Sequence, residues 1–144
     1  FIKFIFPNSK VIHCDRNVND ICLSLYKNLF TGLNWCYSEN EIATFYNLYQ
    51  DIMDFWHNKL PGFVYDIKYE SLISNTKTEI QNIIDFCGLP IDENCYTFHK
   101  NKTPIKTASI SQARKSVYST SINLSDKYSA RLDNLFKQIK KNGP

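Results

Sequence analysis

Glycine is scarce. The 144 residues include four, at positions 32, 62, 88 and 143, and none opens the G-x-x-x-x-G-K-[ST] loop with which P-loop enzymes cradle phosphates. Cysteine is present, but not in a useful spacing. Cys14, Cys22, Cys36, Cys87 and Cys95 contain no C-x-x-C pair, and an odd, dispersed set argues for reduced structural thiols and against a disulfide framework or a zinc site. No metal is therefore expected. No apolar run approaches the ~18 residues of a membrane span, and there is no signal peptide. The net charge is only +3, with the basic residues scattered as far as the KQIKK tail, too weak and diffuse a field to imply nucleic acid. An initiator methionine is also missing. The chain opens inside the apolar run FIKFIF, so it reads as a piece of a longer protein whose targeting information would lie upstream; the expected compartment is cytoplasmic.

What is there is an ordinary globular composition. Apolar residues make up 43% and charged residues 22%, which excludes intrinsic disorder and suits one core. Aromatic residues at 15%, with nine Tyr and ten Phe, supply rings for that core and faces on which a purine could stack.

The chain is organised around KVIHCDRNVNDICLSLYKNLF, residues 10–30. Val11 to Cys14 fit a short buried strand, and Val18, Ile21, Leu25 and Leu29 then recur at helical spacing. Arg16 falls at the strand–helix junction, Asn17 or Asn19 can cap the helix, and Ser24 lies about two turns further on, away from the core stripe. First-turn N–H groups, the helix dipole and a guanidinium would converge on an anion, above all a phosphate.

Upstream, residues 1–6 read as a helical end stopped by Pro7. His13, inside the strand, reads as a hydrogen-bonded core residue. After a loop over 31–38, Ile42, Phe45, Tyr49, Ile52 and Trp56 predict a core-facing helix from about 39 to 59. Alternation over 63–69 predicts a second strand, parallel to the first by the crossover rule, so that Arg16 and the Tyr69-Glu70 pair would share the carboxyl edge where ligands of open α/β sheets bind. Thr76 to Glu79 is a capping-box pattern before a helix ended by Gly88 and Pro90. Residues 103–121, rich in hydroxyls, read as a loop, and Ser125 as the cap of a last helix near 126–140.

FPNSKVIHCDRNVNDICLSLY resembles the 3′-phosphate-binding segment of the sulfotransferase superfamily, in particular its tyrosylprotein-sulfotransferase-like and bacterial repeat-fused branch. The resemblance spans roughly residues 1 to 130 and covers the C-terminal part of that family's catalytic domain. It implies a partial P-loop-type α/β fold, a parallel sheet with flanking helices, whose N-terminal half is missing, and residues 1–144 as one portion of a single domain. It also implies that Arg16 and Ser24 grip the 3′-phosphate of 3′-phosphoadenosine 5′-phosphosulfate (PAPS), and that Tyr69 lies near the adenine nucleotide. TASISQARKSVY resembles the segment that closes over the nucleotide, so that Ser109 and Gln112 would offer hydrogen bonds and Arg114 or Lys115 a cation. Two departures stand out. Val18 replaces the family's usual proline, and Asn123-Leu124-Ser125 replaces a Gly-x-Trp. His99, within a stretch resembling the family's Cys-x-x-Phe-His, reads as a fold element.

The function so implied is transfer of a sulfuryl group from PAPS to a hydroxyl or amine acceptor, with this part supplying the 3′-phosphate and adenine side. The acceptor class stays open among protein tyrosine, carbohydrate and small molecule, and the catalytic base and 5′-phosphosulfate loop would lie upstream. The alternative is a non-catalytic, degenerate nucleotide- or protein-binding scaffold.

Overall fold

The strand–helix unit at the start of the chain forms much as its pattern dictates. In the computed structural model, which describes residues 1–28, 30–100 and 120–139, helix α1 (Ile2–Ile5) leads to strand β1 (Val11–Asp15) and helix α2 (Val18–Lys27). Helix α3 (Glu39–Lys59), strand β2 (Val64–Lys68), helices α4 (Tyr69–Ser74) and α5 (Thr76–Cys87), and helix α6 (Asp133–Gln138) follow. Short 3-10 turns occupy Asn34–Tyr37, Glu93–Lys100 and Leu124–Tyr128. The two strands are parallel neighbours, as the helical crossover between them requires. The chain divides into two compact units, one of residues 1–15 and 65–120, the other of residues 16–64 and 121–144.

In the first unit, alternation places Ile67 inside and Asp66 and Lys68 in solvent. β1 is less buried than its apolar run suggests: Ile12 and Cys14 are exposed while Val11, His13 and Asp15 are half-buried, the alternation of a strand covered on one face. His13 is half-buried, and its Nδ1 lies 2.6 Å from Asp66 Oδ1 on β2, a cross-strand pair rather than a core contact. Tyr65 stacks on Phe86 of α5 with ring centroids 5.0 Å apart, and Lys10 Nζ lies 5.0 Å from the Phe86 centroid. The capping-box expectation at Thr76 fails for a local reason. α4 and α5 are separated only by Asn75, so Thr76 Oγ1 donates back to the Leu72 carbonyl at 2.7 Å instead of capping forward. At the other end Gly88 adopts φ 68°, and the Gly88 and Leu89 N–H groups donate to the Asp85 and Ile84 carbonyls, the paired bonds of a glycine-stopped helix.

The second unit holds the larger core. Cys22 and Leu23 of α2 meet Ile42, Ala43 and Tyr46 of α3 and Leu132, Leu135 and Ile139 around α6. α3 packs on a face different from the one its aromatic spacing suggests. Ile42, Ala43, Tyr46 and Gln50 are buried and Tyr49 is half-buried, whereas Phe45, Ile52 and Trp56 are exposed. α6 is pinned along α3 by polar bonds, with Asn47 Nδ2 donating to the Gln138 carbonyl at 3.0 Å and Gln138 Nε2 to Asn40 Oδ1 at 2.9 Å. Ser125 caps no helix. It lies inside the 3-10 turn, 1% exposed, with its N–H committed elsewhere.

Candidate functional site

The start of α2 is fixed by Asn17. Its Oδ1 accepts the N–H groups of Asn19 at 2.9 Å and Asp20 at 3.2 Å, the normal duty of an N-cap side chain toward donors that have no helical partner. Two of the first-turn N–H groups expected to face an anion are therefore already engaged by the cap. What the helix start still presents is its dipole and the guanidinium of Arg16.

Arg16 is held within its own unit. Nη2 donates to the Ser121 carbonyl at 2.5 Å and lies 3.8 Å from Asp20 Oδ2. The Arg16 side chain retains 27% exposure, while that of Asp20 retains 1%, so the arginine is only partly covered and its acid is fully buried, as is the arginine's own Nε. A buried carboxylate persists only with its lone pairs satisfied. Asp20 meets this requirement with Oδ2 accepting the Asn123 N–H and Oδ1 the Ser125 N–H, both at 2.8 Å. Asn123 reaches that position in the left-handed region, at φ 55°, which asparagine tolerates better than most residues. The turn of residues 123–125 is thus clamped by one carboxylate on α2, the same one that lies beside Arg16.

Ser24 lies one helical turn beyond Asp20 and is half-buried. Its Oγ accepts from Asn28 Nδ2 at 3.2 Å, and the same amide donates to the Ser24 carbonyl at 2.6 Å. With an amide filling one lone pair, the Ser24 hydroxyl keeps its proton for an acceptor such as a phosphate oxygen. Asp20 and Ser24, four apart on α2, stack along one helix face, and Arg16 stands just before the cap beside Asp20.

Arg16 and Ser24 thus share the second unit. Tyr69 belongs to the first, where it is half-buried and opens α4 directly after β2. Ser109, Gln112, Arg114 and Lys115 lie outside the described residues. Asp20 was not singled out by the sequence reading, although its spacing of four from Arg16 was a usable signal. Among the described residues no cluster of His, Cys, Asp and Glu could hold a metal ion, and no helix is long and apolar enough to cross a membrane.

Comparison with known proteins adds two findings. The model of a family described as "Sulfotransferase family" matches residues 1–93, a stretch that takes in Arg16, Ser24 and Tyr69. An uncharacterized protein of Aquifex aeolicus (strain VF5) is 34% identical over 125 residues, which cover 84% of this chain. The chain spans 16% of that relative's length.

Proposed function

Because the chain belongs to the sulfotransferase family, we propose that it is the nucleotide-gripping portion of a PAPS-dependent sulfotransferase with a P-loop-like fold, and that Arg16 and Ser24 bind the 3′-phosphate of the donor. The observation that carries this reading is the setting of Arg16. A guanidinium at a helix start, anchored by a carbonyl and a buried acid on a side chain that is still partly exposed, is oriented before any ligand arrives. A 3′-phosphate suits these groups: the guanidinium fork matches its oxygens, the Ser24 hydroxyl supplies a neutral donor, and the helix dipole favours its charge. Asp20 adds a negative charge nearby, but its oxygens are committed to two backbone N–H groups, so it orients the cation more than it competes for it.

In the whole protein, the acceptor oxygen or nitrogen attacks the sulfur of PAPS in line. The bond from sulfur to the bridging phosphate oxygen breaks, leaving the sulfated acceptor and adenosine 3′,5′-bisphosphate, and the acceptor proton passes to a base that this chain does not identify. This chain's residues bind and orient the donor. Tyr69 is assigned to the adenine side and Ser109, Gln112, and Arg114 or Lys115 to closure over the nucleotide. The acceptor is a hydroxyl or amine of a protein tyrosine, a carbohydrate or a small molecule.

Calorimetry on the full-length protein tests the assignment. Arg16→Ala should weaken adenosine 3′,5′-bisphosphate by about ten- to a hundredfold, as expected for a charge-assisted bond of about 1.5–3 kcal/mol. Adenosine 5′-monophosphate, without the 3′-phosphate, should bind weakly before and after. Equal binding of the two nucleotides by the wild type, or a difference that survives the substitution, would show that no 3′-phosphate site lies here.

A further inference from the structure

α3 carries a second apolar face that, apart from Trp35 against Phe45, stays largely exposed among the described residues. Phe45, Leu48, Ile52, Phe55 and Trp56 are 50, 56, 56, 50 and 43% exposed, while the residues that face the core are Ile42, Ala43, Tyr46 and Gln50. Single exposed apolar residues are commonplace, but a continuous stripe along one helix marks an interaction surface. Glu41 and Lys59 extend this stripe at either end. Positions 41, 45, 48, 52, 55 and 59 are spaced four, three, four, three and four apart, the seam spacing by which one helix packs along another.

The seam is also symmetric about position 50. Leu48 and Ile52 stand two positions either side of it, Phe45 and Phe55 five, and Glu41 and Lys59 nine. When two such helices pair antiparallel about a two-fold axis at that point, each residue meets its counterpart: Leu48 meets Ile52, Phe45 meets Phe55, and Glu41 meets Lys59 twice over. An isologous interface has just this property, that if residue i contacts residue j then j contacts i. Parallel pairing would instead set glutamate on glutamate and lysine on lysine and align the two helix dipoles, both unfavourable. The surface is also partly organised already. Trp35 stacks on Phe45 with centroids 4.1 Å apart, Phe55 and Trp56 meet edge to face at 5.0 Å, and Lys59 Nζ lies 5.8 Å from the Phe55 centroid. Rings and a cation held in place leave less side-chain entropy to lose on association.

We propose that two copies of this chain associate through α3, antiparallel and two-fold, with the apolar seam supplying affinity and the Glu41–Lys59 pairs setting orientation. This is independent of any nucleotide site. Exposed ion pairs contribute only about 0–1 kcal/mol each, so the charges select the arrangement more than they hold it.

Sedimentation velocity on the 144-residue chain, with circular dichroism to confirm that each variant is folded, tests the proposal. The wild type should show a monomer–dimer equilibrium, and Ile52→Lys at the centre of the seam should abolish it. Glu41→Lys and Lys59→Glu should each weaken the dimer by about tenfold, since each turns two attractions into repulsions. An equimolar mixture of these two variants should recover wild-type strength, because one then carries lysine and the other glutamate at both ends of the seam. A wild-type chain that stays monomeric at high concentration, as expected if another segment of a longer protein covers this face, overturns the proposal. So does a dimer indifferent to Ile52→Lys, or one in which mixing the charge variants brings no recovery.

Discussion

Replacing Asp20 by Asn changes a buried carboxylate by one atom and should cost far more than its size suggests. In the wild type both carboxylate oxygens are occupied, by the Asn123 and Ser125 N–H groups at 2.8 Å each. An amide has one oxygen. Whichever way it turns, one N–H meets that oxygen in an ordinary neutral bond while the other faces an NH2 donor. The first loses the difference between a charge-assisted and a neutral hydrogen bond, about 1 kcal/mol, and the second loses its bond and stays unsatisfied, about 2–3 kcal/mol. Arg16 also loses the acid 3.8 Å from Nη2, against which the protein no longer has to bury a charge. A net loss of about 3 kcal/mol follows, a large share of the 5–15 kcal/mol typical of a domain, with a fall in Tm of about 10 °C. Urea unfolding followed by circular dichroism should show a lower midpoint at unchanged slope. Asp133→Asn is the control. Its carboxylate meets Lys137 Nζ at 2.6 Å, shorter than either Asp20 bond, yet both side chains are more than half exposed, so it should cost no more than about 0.5 kcal/mol. If the two substitutions cost the same, the clamp on residues 123–125 does not carry the stability argued for it.

Two further expectations follow from the same unit. Asn123 sits at φ 55°, so Asn123→Gly should be nearly neutral whereas Asn123→Ala should cost about 1 kcal/mol; equal unfolding midpoints for the two variants would contradict the backbone argument. Burial pushes the Cys22 thiol from 9.0 up to about 12, so in the folded state it stays protonated where the unfolded chain ionises. The stability this represents is complete below about pH 8.5 and is lost as pH rises toward 12. The gap in unfolding free energy between wild type and Cys22→Ala should therefore narrow from pH 9 upward, and a constant gap would refute the assignment.

The elements that could be read from the sequence are those in which one signal dominates. β1, α2, α3, β2 and α5 begin and end within about three residues of expectation, because periodicity, Asn17 and Gly88 all point the same way. α3 shows where such reading stops. Ile42, Phe45, Tyr49, Ile52 and Trp56 form an acceptable helical stripe, yet Ile42, Ala43, Tyr46 and Gln50 form the buried one. Both stripes have the helical period, and a helix with two apolar faces carries no mark of which one turns inward. The buried stripe includes small Ala43, which permits close approach, and polar Gln50, which its type alone would place outside; which stripe turns inward depends on the helices packed against α3, not on α3 alone. Asp20 was overlooked for the opposite reason. Aspartate is rarely buried, so its type alone argued for the surface, and its role emerges only when residues more than a hundred positions away fold onto it.

Val18 and the turn at residues 123–125 can be understood together. Proline two residues after the arginine would pre-set the helix start by fixing its backbone angle and removing a spare N–H. Here Val18 leaves that task to Asn17, whose side chain takes the Asn19 and Asp20 N–H groups and so draws Asp20 into the first turn. Asp20 then binds the backbone of residues 123 and 125, which needs no particular side chain there beyond one that tolerates a positive φ, as Asn123 does. With residues 121–125 fixed in this way, the Ser121 carbonyl becomes the acceptor that orients Arg16. Under the proposed function this implies a different division of labour for an anion. The cap has used two of the N–H groups that a bare helix start would present, so the guanidinium must supply most of the specific attraction. Arg16→Lys should therefore behave more like Arg16→Ala than like the wild type toward a 3′-phosphate, since an ammonium cannot hold the Ser121 carbonyl and a phosphate in the fixed geometry of a planar fork.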